Sequence, residues 1–221
     1  KNKLMANNLH WNTVSSLLKS GLLKFMAEPL FNPFRLVGGT SLSLKRGHRI
    51  SIDIDLFTDE EYKSIDFDQI DEYLRREFDY VSPAKLPENI GMGTSYILGN
   101  RPDESFKLDL YYTDPFIFPF QKLDGIRLST VEEIAAMKMD VIQRGGRKKD
   151  FWDLHELWDD YSIKHMIELH EKRYPYSHDA ELIKTNLTNF ETADDDLEPI
   201  CLRGKYWEII KLDFSEEVKQ L

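Results

Sequence analysis

The chain has few of the residues that mark secreted, membrane-bound or duplex-coating proteins. A single cysteine, Cys201, stands among 221 residues, which excludes a disulfide framework and fits a reducing compartment. No apolar run reaches the roughly 18 residues that a membrane span needs, and no signal peptide is recognisable, so we expect a cytoplasmic protein. Lys and Arg number 29 against 39 Asp and Glu, which argues against binding duplex DNA through a broad positive face.

Several common enzyme motifs are also absent from the sequence. It contains no G-x-x-x-x-G-K-[ST] phosphate-binding loop, and neither a Ser-His-Asp order nor a Cys-His pair of the kind that nucleophilic hydrolases use. Hydrolysis by a nucleophilic side chain is therefore unsupported. Hydrophobic residues make up 41% of the chain and charged residues 31%, which is typical of a globular protein with a sizeable core.

The most informative stretch covers residues 37–57. Its pattern predicts the end of a strand, a turn at Gly38-Gly39, a short helix and a second strand that carries Asp53 and Asp55. Side chains two positions apart on a strand lie on one face, so the two carboxylates project together. Neighbouring carboxylates repel each other unless a proton or cation separates them, and Mg²⁺ prefers such oxygen ligands beside substrate phosphates.

The glycine turn before this strand is suited to phosphate. Glycine lets the backbone approach a ligand closely, and Thr40 or Ser41 can cap the helix that follows. A helix N-terminus offers free N–H groups and a partial positive charge. A tight turn or a solvated acidic strand would explain either feature alone. Together they predict a triphosphate site beside a metal site.

This stretch resembles the signature of the polymerase-β-like nucleotidyltransferase superfamily and, within it, the AbiEii nucleotidyltransferase toxin family. The residues that carry the resemblance are Gly38-Gly39-Thr40-Ser41-Leu42, Gly47-His48-Arg49, Ser51 and Asp53-Ile54-Asp55-Leu56-Phe57. The resemblance extends from about residue 34 to the C-terminus. It implies a bacterial toxin neutralised by an antitoxin protein encoded beside it, and relatives similar to enzymes that add nucleotides to the 3′ end of tRNA.

A third acidic residue, Asp109, interrupts the alternating strand predicted over residues 106–112, where it shares a face with Lys107. It is either a solvated acid on an edge strand or the third carboxylate of the site, because an acid on a central strand is costly unless it is paired or metal-bound. The superfamily pattern has a carboxylate at this place. The resemblance therefore implies that Asp53, Asp55 and Asp109 together hold metal.

A basic turn, residues 144–149, stands out in a chain whose net charge is −10. The capping box Ser129-Thr130-Val131-Glu132 opens one predicted helix, and another follows over residues 151–158, without the base-reading side chains of a DNA-binding hairpin. The basic turn is either solvated or supplies counter-charge to a metal-bound triphosphate. The resemblance implies roles for Lys138, Arg144, Lys149, Asp150 and Asp153. A helix surface is the alternative for Asp153.

Three further features leave alternatives open. His48 either contacts phosphate or caps the short helix, and Arg49, which is always charged, is better suited to phosphate. The aromatic segment 115–120 fills the core or lines a pocket, and we favour the core. The acidic loop 194–199 could bind a cation, but its side chains share no face of a helix or strand, so it is expected to be solvated or to face a partner. Apolar periodicity predicts the remaining helices over 12–31, 66–78, 163–173, 178–190 and 214–221 and the remaining strands over 34–37, 80–85 and 94–98.

We therefore predict an α/β (α+β) fold. A small mixed or antiparallel sheet flanked by helices, of the nucleotidyltransferase type, occupies residues 1–128, and a helical region in 129–221 completes the active-site groove. The predicted catalytic residues are Asp53, Asp55, Asp109, Lys138 and Asp150. The predicted nucleotide-binding residues are Gly38, Gly39, Thr40, Arg49, Arg144 and Lys149.

The predicted reaction is transfer of a nucleotidyl group from an NTP to an acceptor hydroxyl, with tRNA as the acceptor by analogy. Two Mg²⁺ ions about 3.5–4 Å apart, or Mn²⁺ in their place, would be held by Asp53, Asp55 and Asp109. Asp109 is also the candidate for accepting the hydroxyl proton. Two alternatives stay open: a small-molecule nucleotidyltransferase of the antibiotic-modifying kind, and a non-catalytic nucleotide- or antitoxin-binding protein. The sequence leaves the NTP, the acceptor and the oligomeric state undetermined.

Overall fold

Alternating apolar residues build a mixed sheet around the acidic strand. The computed structural model describes residues 8–87 and 90–221. The strands are β1 (Arg35–Leu36), β2 (Asp53–Thr58), β3 (Tyr80–Ser82), β4 (Gly93–Arg101), β5 (Glu104–Tyr112), β6 (Gln121–Leu123) and β7 (Ile126–Leu128). In the described residues they pair in the order β3-β4-β5-β2-β1-β7-β6. This mixed sheet with flanking helices confirms the predicted fold class.

Strand β5 lies inside the sheet, between β4 and β2. It pairs with β2 in parallel and with β4 in antiparallel orientation. The inward-facing residues Ile54 and Leu56 of β2 and Leu108 and Leu110 of β5 are fully buried. Apolar burial of this size is the main force that holds such a sheet to its helices. The edge-strand alternative for Asp109 is therefore wrong.

The helices cover the sheet and form the second half of the chain. They are α1 (Ser16–Ala27), α2 (Gly38–Arg46), α3 (Phe67–Glu77), α4 (Val131–Gln143), α5 (Lys148–Glu156), α6 (Ile163–Arg173), α7 (Ala180–Asn186), α8 (Glu191–Asp194) and α9 (Trp207–Val218). Helix α1 packs on β2, β5 and β7, whereas α4 packs against α5, α6 and α7 and reaches α2. Within the described part of the chain, no helix is both long and apolar enough to cross a membrane.

Two apolar clusters follow this arrangement. One joins α1 and α3 to the sheet, and its buried members lie between residues 9 and 128. The other lies among the helices from α4 onward and includes one residue from the first half, Leu42 of α2. The division of the chain into regions 1–128 and 129–221 stays a prediction, although the two clusters are consistent with it.

Several predicted elements have different ends in the structure. Helix α1 is shorter than predicted because the Ser15 hydroxyl caps it, accepting from the Leu18 N–H at 3.1 Å, and a 3₁₀ turn starts at Pro29. Strand β3 stops before Pro83, which has no N–H to donate. Helix α7 is shorter than predicted and α9 starts earlier, and the β6–β7 hairpin was not predicted.

Candidate active site

A cavity of about 690 Å³ opens between the strands β2 and β5 and the helices α4 and α5. The sheet side supplies three carboxylates, Asp53, Asp55 and Asp109, which we call the carboxylate row. The helical side supplies cations from α4, α5 and the basic turn between them. The charged side chains that line the sheet side are the carboxylate row and Lys107. Those that line the helical side are four cations and two acids: Lys138, Arg144, Arg147, Lys149, Asp140 and Asp150.

Strand pairing brings the carboxylate row together. Asp55 and Asp109 are direct register partners on the parallel strands β2 and β5, and Asp53 lies two residues before Asp55, opposite Lys107. Burial, followed by the charges of Asp109 and Asp53, raises the pKa of Asp55 to about 6. A carboxylate held in this way carries an excess negative charge that a divalent cation would neutralise. The oxygen donors are of the type that Mg²⁺ prefers.

Two lysines contact the outer members of the carboxylate row. Lys107 Nζ lies 2.6 Å from Asp109 Oδ2, and Lys149 Nζ lies 3.3 Å from Asp53 Oδ2. The other oxygen of Asp109 accepts a hydrogen bond from the Ser95 hydroxyl. Among the described residues, no three His, Cys, Asp or Glu side chains are arranged to hold one metal ion. A metal site at the carboxylate row therefore stays a prediction, which requires the outer two carboxylates to turn away from their lysines.

Glycine allows the turn before α2 to lie against the carboxylate row. The Val37 N–H donates to the Asp55 carbonyl at 2.9 Å, and α2 begins at Gly38, whose φ of +66° lies in the left-handed region. A Cβ at Gly38 would collide with the Asp55 carboxylate, and one at Gly39 would collide with the Arg49 guanidinium. The glycine turn thus lies directly beside the acidic strand, as the sequence predicted.

Thr40 and Ser41 do not cap the helix as predicted. Because α2 begins at Gly38, both residues lie inside the helix and are buried. The Thr40 hydroxyl lies 2.8 Å from the Ser51 hydroxyl and donates to the Asp53 carbonyl, so it joins α2 to the acidic strand. Its side chain therefore turns away from the cavity. Any contact of Thr40 with phosphate would come from the backbone N–H.

A second ionic group lies behind the glycine turn, and we call it the buried ion cluster: His48, Arg49, Lys138, Asp150 and Asp153. Asp153 is fully buried. It accepts from Arg49 Nε at 2.6 Å and Nη2 at 2.8 Å, and it lies 2.7 Å from Lys138 Nζ and 2.8 Å from His48 Nε2. Burial alone would raise the pKa of Asp153, but Arg49 and Lys138 outweigh it and hold the pKa well below its usual range.

The buried ion cluster corrects three predictions. Asp153 is not a helix-surface acid. His48 neither caps α2 nor faces the cavity, because it is buried against Asp153. The guanidinium of Arg49 binds buried Asp153 through two hydrogen bonds. This position differs from the predicted one, in which Arg49 contacts the nucleotide. The fixed charge that suits Arg49 to phosphate suits it equally to a buried carboxylate.

Lys138 and Asp150 line the cavity from within the same cluster. Lys138 Nζ lies 2.6 Å from Asp150, and Asp150 also caps α5 by accepting from the Arg147 N–H at 3.1 Å. Burial lowers the pKa of Lys138, but Asp150 and Asp153 outweigh it and raise the pKa, so the ammonium stays charged. Two of its three N–H donors point to carboxylates, which leaves one for a ligand.

The residues of the basic turn divide between the cavity and the interior. Arg144 is exposed and pairs with Asp140 one helical turn earlier on α4. Lys148 turns away, and its Nζ donates to the carbonyl of Asp196 at 2.7 Å. Asp196 accepts from the Lys148 N–H at 2.9 Å, and Asp194 accepts from the Trp207 ring at 2.7 Å. Asp194 remains 48% exposed, as expected for a solvated acidic loop, although Asp194 and Asp196 also bind groups of the chain itself.

Comparison with known proteins identifies the family. The family model described as nucleotidyl transferase AbiEii toxin, type IV toxin–antitoxin system, matches residues 22–219. The chain belongs to this family. It is 31% identical over 216 residues to an uncharacterized protein of Aquifex aeolicus, covering 91% of this chain and 94% of that protein. The protein is thus a nucleotidyltransferase of a toxin family, as its sequence pattern predicted.

Solved structures with the same fold come from two other bacteria. JHP933 of Helicobacter pylori aligns with a TM-score of 0.56 and 18% identity over 91% of this chain and 89% of that protein. MenT4, a nucleotidyltransferase toxin of Mycobacterium tuberculosis H37Rv, aligns with a TM-score of 0.56 and 14% identity over 92% of this chain and 82% of that protein. At these identities, the likeness concerns the fold alone.

The aromatic segment 115–120 of this AbiEii chain mainly stabilises the fold. The guanidinium of Arg35 lies 3.7 Å from the centre of the Phe116 ring, and the N–H groups of Ile117 and Phe118 both donate to buried Glu133 at 3.0 Å. Only Pro115 of the segment borders the cavity within the described residues. None of these six residues is fully buried, and Phe120 is 46% exposed, so the segment packs on the surface of the fold and the expectation that it fills the core is wrong.

Sequence reasoning assigned no role to several residues that line the cavity. Lys107 shares a strand face with Asp109, and that alternation was the available signal. Arg147 and Tyr174 lie on the helical side. The cavity also has an acidic rim at the far ends of β2 and β5, made of Asp59, Glu60 and Asp114.

Proposed function

We propose that this AbiEii nucleotidyltransferase moves a nucleoside monophosphate from an NTP to an acceptor hydroxyl at the carboxylate row. One observation carries the proposal: the glycine turn lies against Asp55 in a cavity whose opposite wall has more cations than acids. Phosphate would lie on the free N–H groups of Gly38 and Gly39 at the start of α2. Arg144, Arg147 and Lys149 would face its charge across the cavity.

The donor atoms of the carboxylate row would suit a divalent cation once Asp53 and Asp109 turn away from their lysines. The donors are carboxylate oxygens, and the raised pKa of Asp55 marks negative charge that lacks compensation. Mg²⁺, or Mn²⁺ in its place, would be held by Asp53, Asp55 and Asp109, with two ions as the predicted number. When bound, the metal would neutralise triphosphate oxygens and lower the pKa of the acceptor hydroxyl.

The chain's own residues would orient the reactants and stabilise charge. A new bond forms between the acceptor oxygen and the α-phosphorus as the bond to the bridging oxygen breaks, and pyrophosphate leaves with the electron pair. Asp109 would accept the hydroxyl proton. The remaining N–H of Lys138 and the guanidinium of Arg144 would stabilise the negative charge on the phosphates. Asp150 would act by holding Lys138, which it contacts at 2.6 Å.

Family membership also supports a biological role. We propose that the protein is the toxin of a toxin–antitoxin pair, with an antitoxin protein as its partner, and that the acceptor is the 3′ end of tRNA. The net charge of −10 means that RNA would have to dock through the basic turn rather than through a broad positive face. Binding of tRNA should therefore weaken steeply as salt is raised.

A labelling experiment tests the proposal. The protein is incubated with each α-labelled NTP, Mg²⁺ and total RNA, beside Asp55→Ala, Asp55→Asn and an exposed control, Lys122→Met, from the edge strand β6. We expect label in RNA from the wild type and from Lys122→Met, and none from either Asp55 variant. Nucleotide binding without label in any acceptor and without pyrophosphate release would contradict catalysis and favour a binding-only protein.

A second acceptor class has one observation in its favour. The acidic rim, Asp59, Glu60 and Asp114, borders the cavity and would repel phosphate but attract a cationic small molecule. This favours an amine-bearing acceptor of the antibiotic kind over RNA. In the same experiment, label on an aminoglycoside and none in RNA would support this alternative.

A further inference from the structure

Lys107 and Lys149 contact carboxylates that a metal ion would need for binding. Both lysines bind oxygens that a metal ion would need, Lys107 on Asp109 at 2.6 Å and Lys149 on Asp53 at 3.3 Å. Within the described residues, Asp55 between them has no ion-pair partner. Ammonium groups thus occupy both ends of the carboxylate row and leave its centre uncompensated.

These two ion pairs are exposed enough to be exchanged. The side chains of Lys107 and Lys149 are 43% and 34% exposed, and ion pairs with this much solvent contact contribute little to stability. Lys138 differs, because its side chain is 8% exposed and lies between two buried carboxylates. A divalent cation carries twice the charge of an ammonium group, so it would compete with the exposed lysines for Asp109 and Asp53, whereas Lys138 binds other carboxylates and would stay in place.

We propose that Lys107 and Lys149 are exchangeable counter-ions of the carboxylate row: they bind Asp109 and Asp53 before metal arrives, leave when a divalent cation binds, and then contact the phosphates of the nucleotide. Both lysines line the same cavity as the glycine turn, so the released ammonium groups stay within it. The inference rests on the proposed function, because it assumes that the carboxylate row binds metal.

The proposed exchange predicts that removing either lysine changes the affinity for metal and the affinity for nucleotide in opposite directions. Removing either lysine removes a competitor for the carboxylates, so the metal should bind more tightly. The same removal deletes a phosphate contact, so NTP should bind more weakly in the presence of metal. A lysine that acts only as a structural ion pair would leave nucleotide affinity unchanged.

The first test measures Mn²⁺ affinity without nucleotide, from the electron paramagnetic resonance signal of free Mn²⁺. We expect Lys107→Met and Lys149→Met to bind Mn²⁺ about fivefold more tightly than the wild type. Arg147→Met is the matched control, because it removes one positive charge from the same cavity at a residue that pairs with Asp150. We expect its affinity to change by less than about twofold.

The second test follows the lysines directly by chemical acylation and mass spectrometry. Without metal, Lys107 Nζ lies 2.6 Å from Asp109 and Lys149 Nζ lies 3.3 Å from Asp53, so both amines are held by carboxylates and should acylate slowly. Added Mg²⁺ should accelerate acylation of Lys107 and Lys149, and Mg²⁺ with an NTP should slow it again. Lys122, on the distant edge strand, should acylate at one rate throughout.

The outcomes separate this inference from the proposed function. If Mn²⁺ binds the wild type and the Asp55→Asn variant equally, or binds neither, the metal site is wrong and the exchange with it. If Mn²⁺ binding depends on Asp55 but neither lysine variant binds it more tightly than Arg147→Met, the exchange alone is overturned. The exchange would also be overturned if added Mg²⁺ left the acylation rates of Lys107 and Lys149 unchanged.

Discussion

The carboxylate row and the buried ion cluster are neighbours that differ in charge balance and in exposure. The cluster sets two cations, Arg49 and Lys138, against two buried carboxylates, Asp150 and Asp153. The row sets three carboxylates against two partly exposed lysines and faces the cavity. A buried ionic group with equal numbers of positive and negative charges stabilises the scaffold. An accessible group with excess negative charge is suited to bind a cation.

The glycine turn joins the two groups. Gly38 lies against Asp55 of the carboxylate row, and Gly39 lies against Arg49 of the buried ion cluster. Asp153 of α5 thus holds, through Arg49, the backbone on which we propose the phosphate binds.

The largest expected effect comes from breaking the buried ion cluster. Asp153→Asn leaves Arg49 and Lys138 buried without a full partner, so the free energy of unfolding should fall by about 3–5 kcal/mol at pH 7 in urea denaturation. The control is Asp160→Asn, which removes a half-exposed carboxylate paired with Arg46 and should cost less than about 1 kcal/mol. Equal effects of the two substitutions would contradict a stabilising role for the cluster.

The same substitution has a pH dependence that follows from the lowered pKa of Asp153. The pKa of the Asp153 carboxyl is lower in the folded than in the unfolded state. Such a group stabilises the fold fully at pH values above its unfolded-state pKa, which is about 3.9. That contribution disappears as the pH falls through the folded-state pKa. The cost of Asp153→Asn should therefore be complete at neutral pH and shrink in strong acid.

The second prediction is a gain in stability at the carboxylate row. The pKa of Asp55 is about 6 in the folded protein, above the unfolded-state value of about 3.9. The protonated carboxyl therefore stabilises the fold fully in acid, below the unfolded-state pKa, and this contribution is lost as the pH rises through 6. With EDTA present, Asp55→Asn should raise the free energy of unfolding at pH 8, relative to pH 4, by about 2–3 kcal/mol. A difference between variant and wild type that does not change with pH would contradict the raised pKa.

The third prediction separates the two glycines of the turn. Gly38→Ala forces a side chain into a left-handed conformation and against Asp55, so we expect a loss of about 1–2 kcal/mol and weaker Mn²⁺ binding. Gly39→Ala pushes against Arg49, so we expect a similar or larger loss of stability with Mn²⁺ binding less affected. Denaturation and Mn²⁺ titration of both variants measure this. If the two variants lose the same stability and the same Mn²⁺ affinity, Gly38 and Gly39 do not act on separate ionic groups.

The smallest expected effect on stability is at Arg144. Its side chain is 68% exposed and pairs with Asp140 on the surface of α4, so Arg144→Met should change the free energy of unfolding by less than about 0.5 kcal/mol. The same variant should raise the KM for NTP, because the proposed phosphate contact is lost. An unchanged KM would remove Arg144 from the nucleotide site.

Local patterns predicted part of the row and none of the cluster. Alternation along β2 placed Asp53 and Asp55 on one face, because a strand fixes side-chain direction over two residues. The resemblance added Asp109, and the pairing of β5 with β2 brings Asp109 into register with Asp55. The contact between Arg49 and Asp153 spans 104 residues, and no periodicity in the sequence encodes such a pair. The resemblance to AbiEii toxins marked both residues as important without showing that they contact each other.

Two other differences have local causes. The strands β6 and β7 are three residues each, too short for alternation to be recognised. The Asp124-Gly125 pair between them has positive φ at both residues and is a hairpin signal that could have identified them. Helix α9 was predicted too short, although Trp207, Ile210 and Phe214 have the spacing of a buried helical face.

The most direct test of the central claim is anomalous diffraction from a crystal that contains Mn²⁺ and a non-reactive NTP analogue. If the carboxylate row binds the metal, anomalous peaks should lie within bonding distance of carboxylate oxygens of Asp53, Asp55 and Asp109, with the triphosphate against Gly38 and Gly39. Mn²⁺ bound elsewhere, or a carboxylate row still paired with Lys107 and Lys149 in the presence of Mn²⁺ and nucleotide, would contradict it.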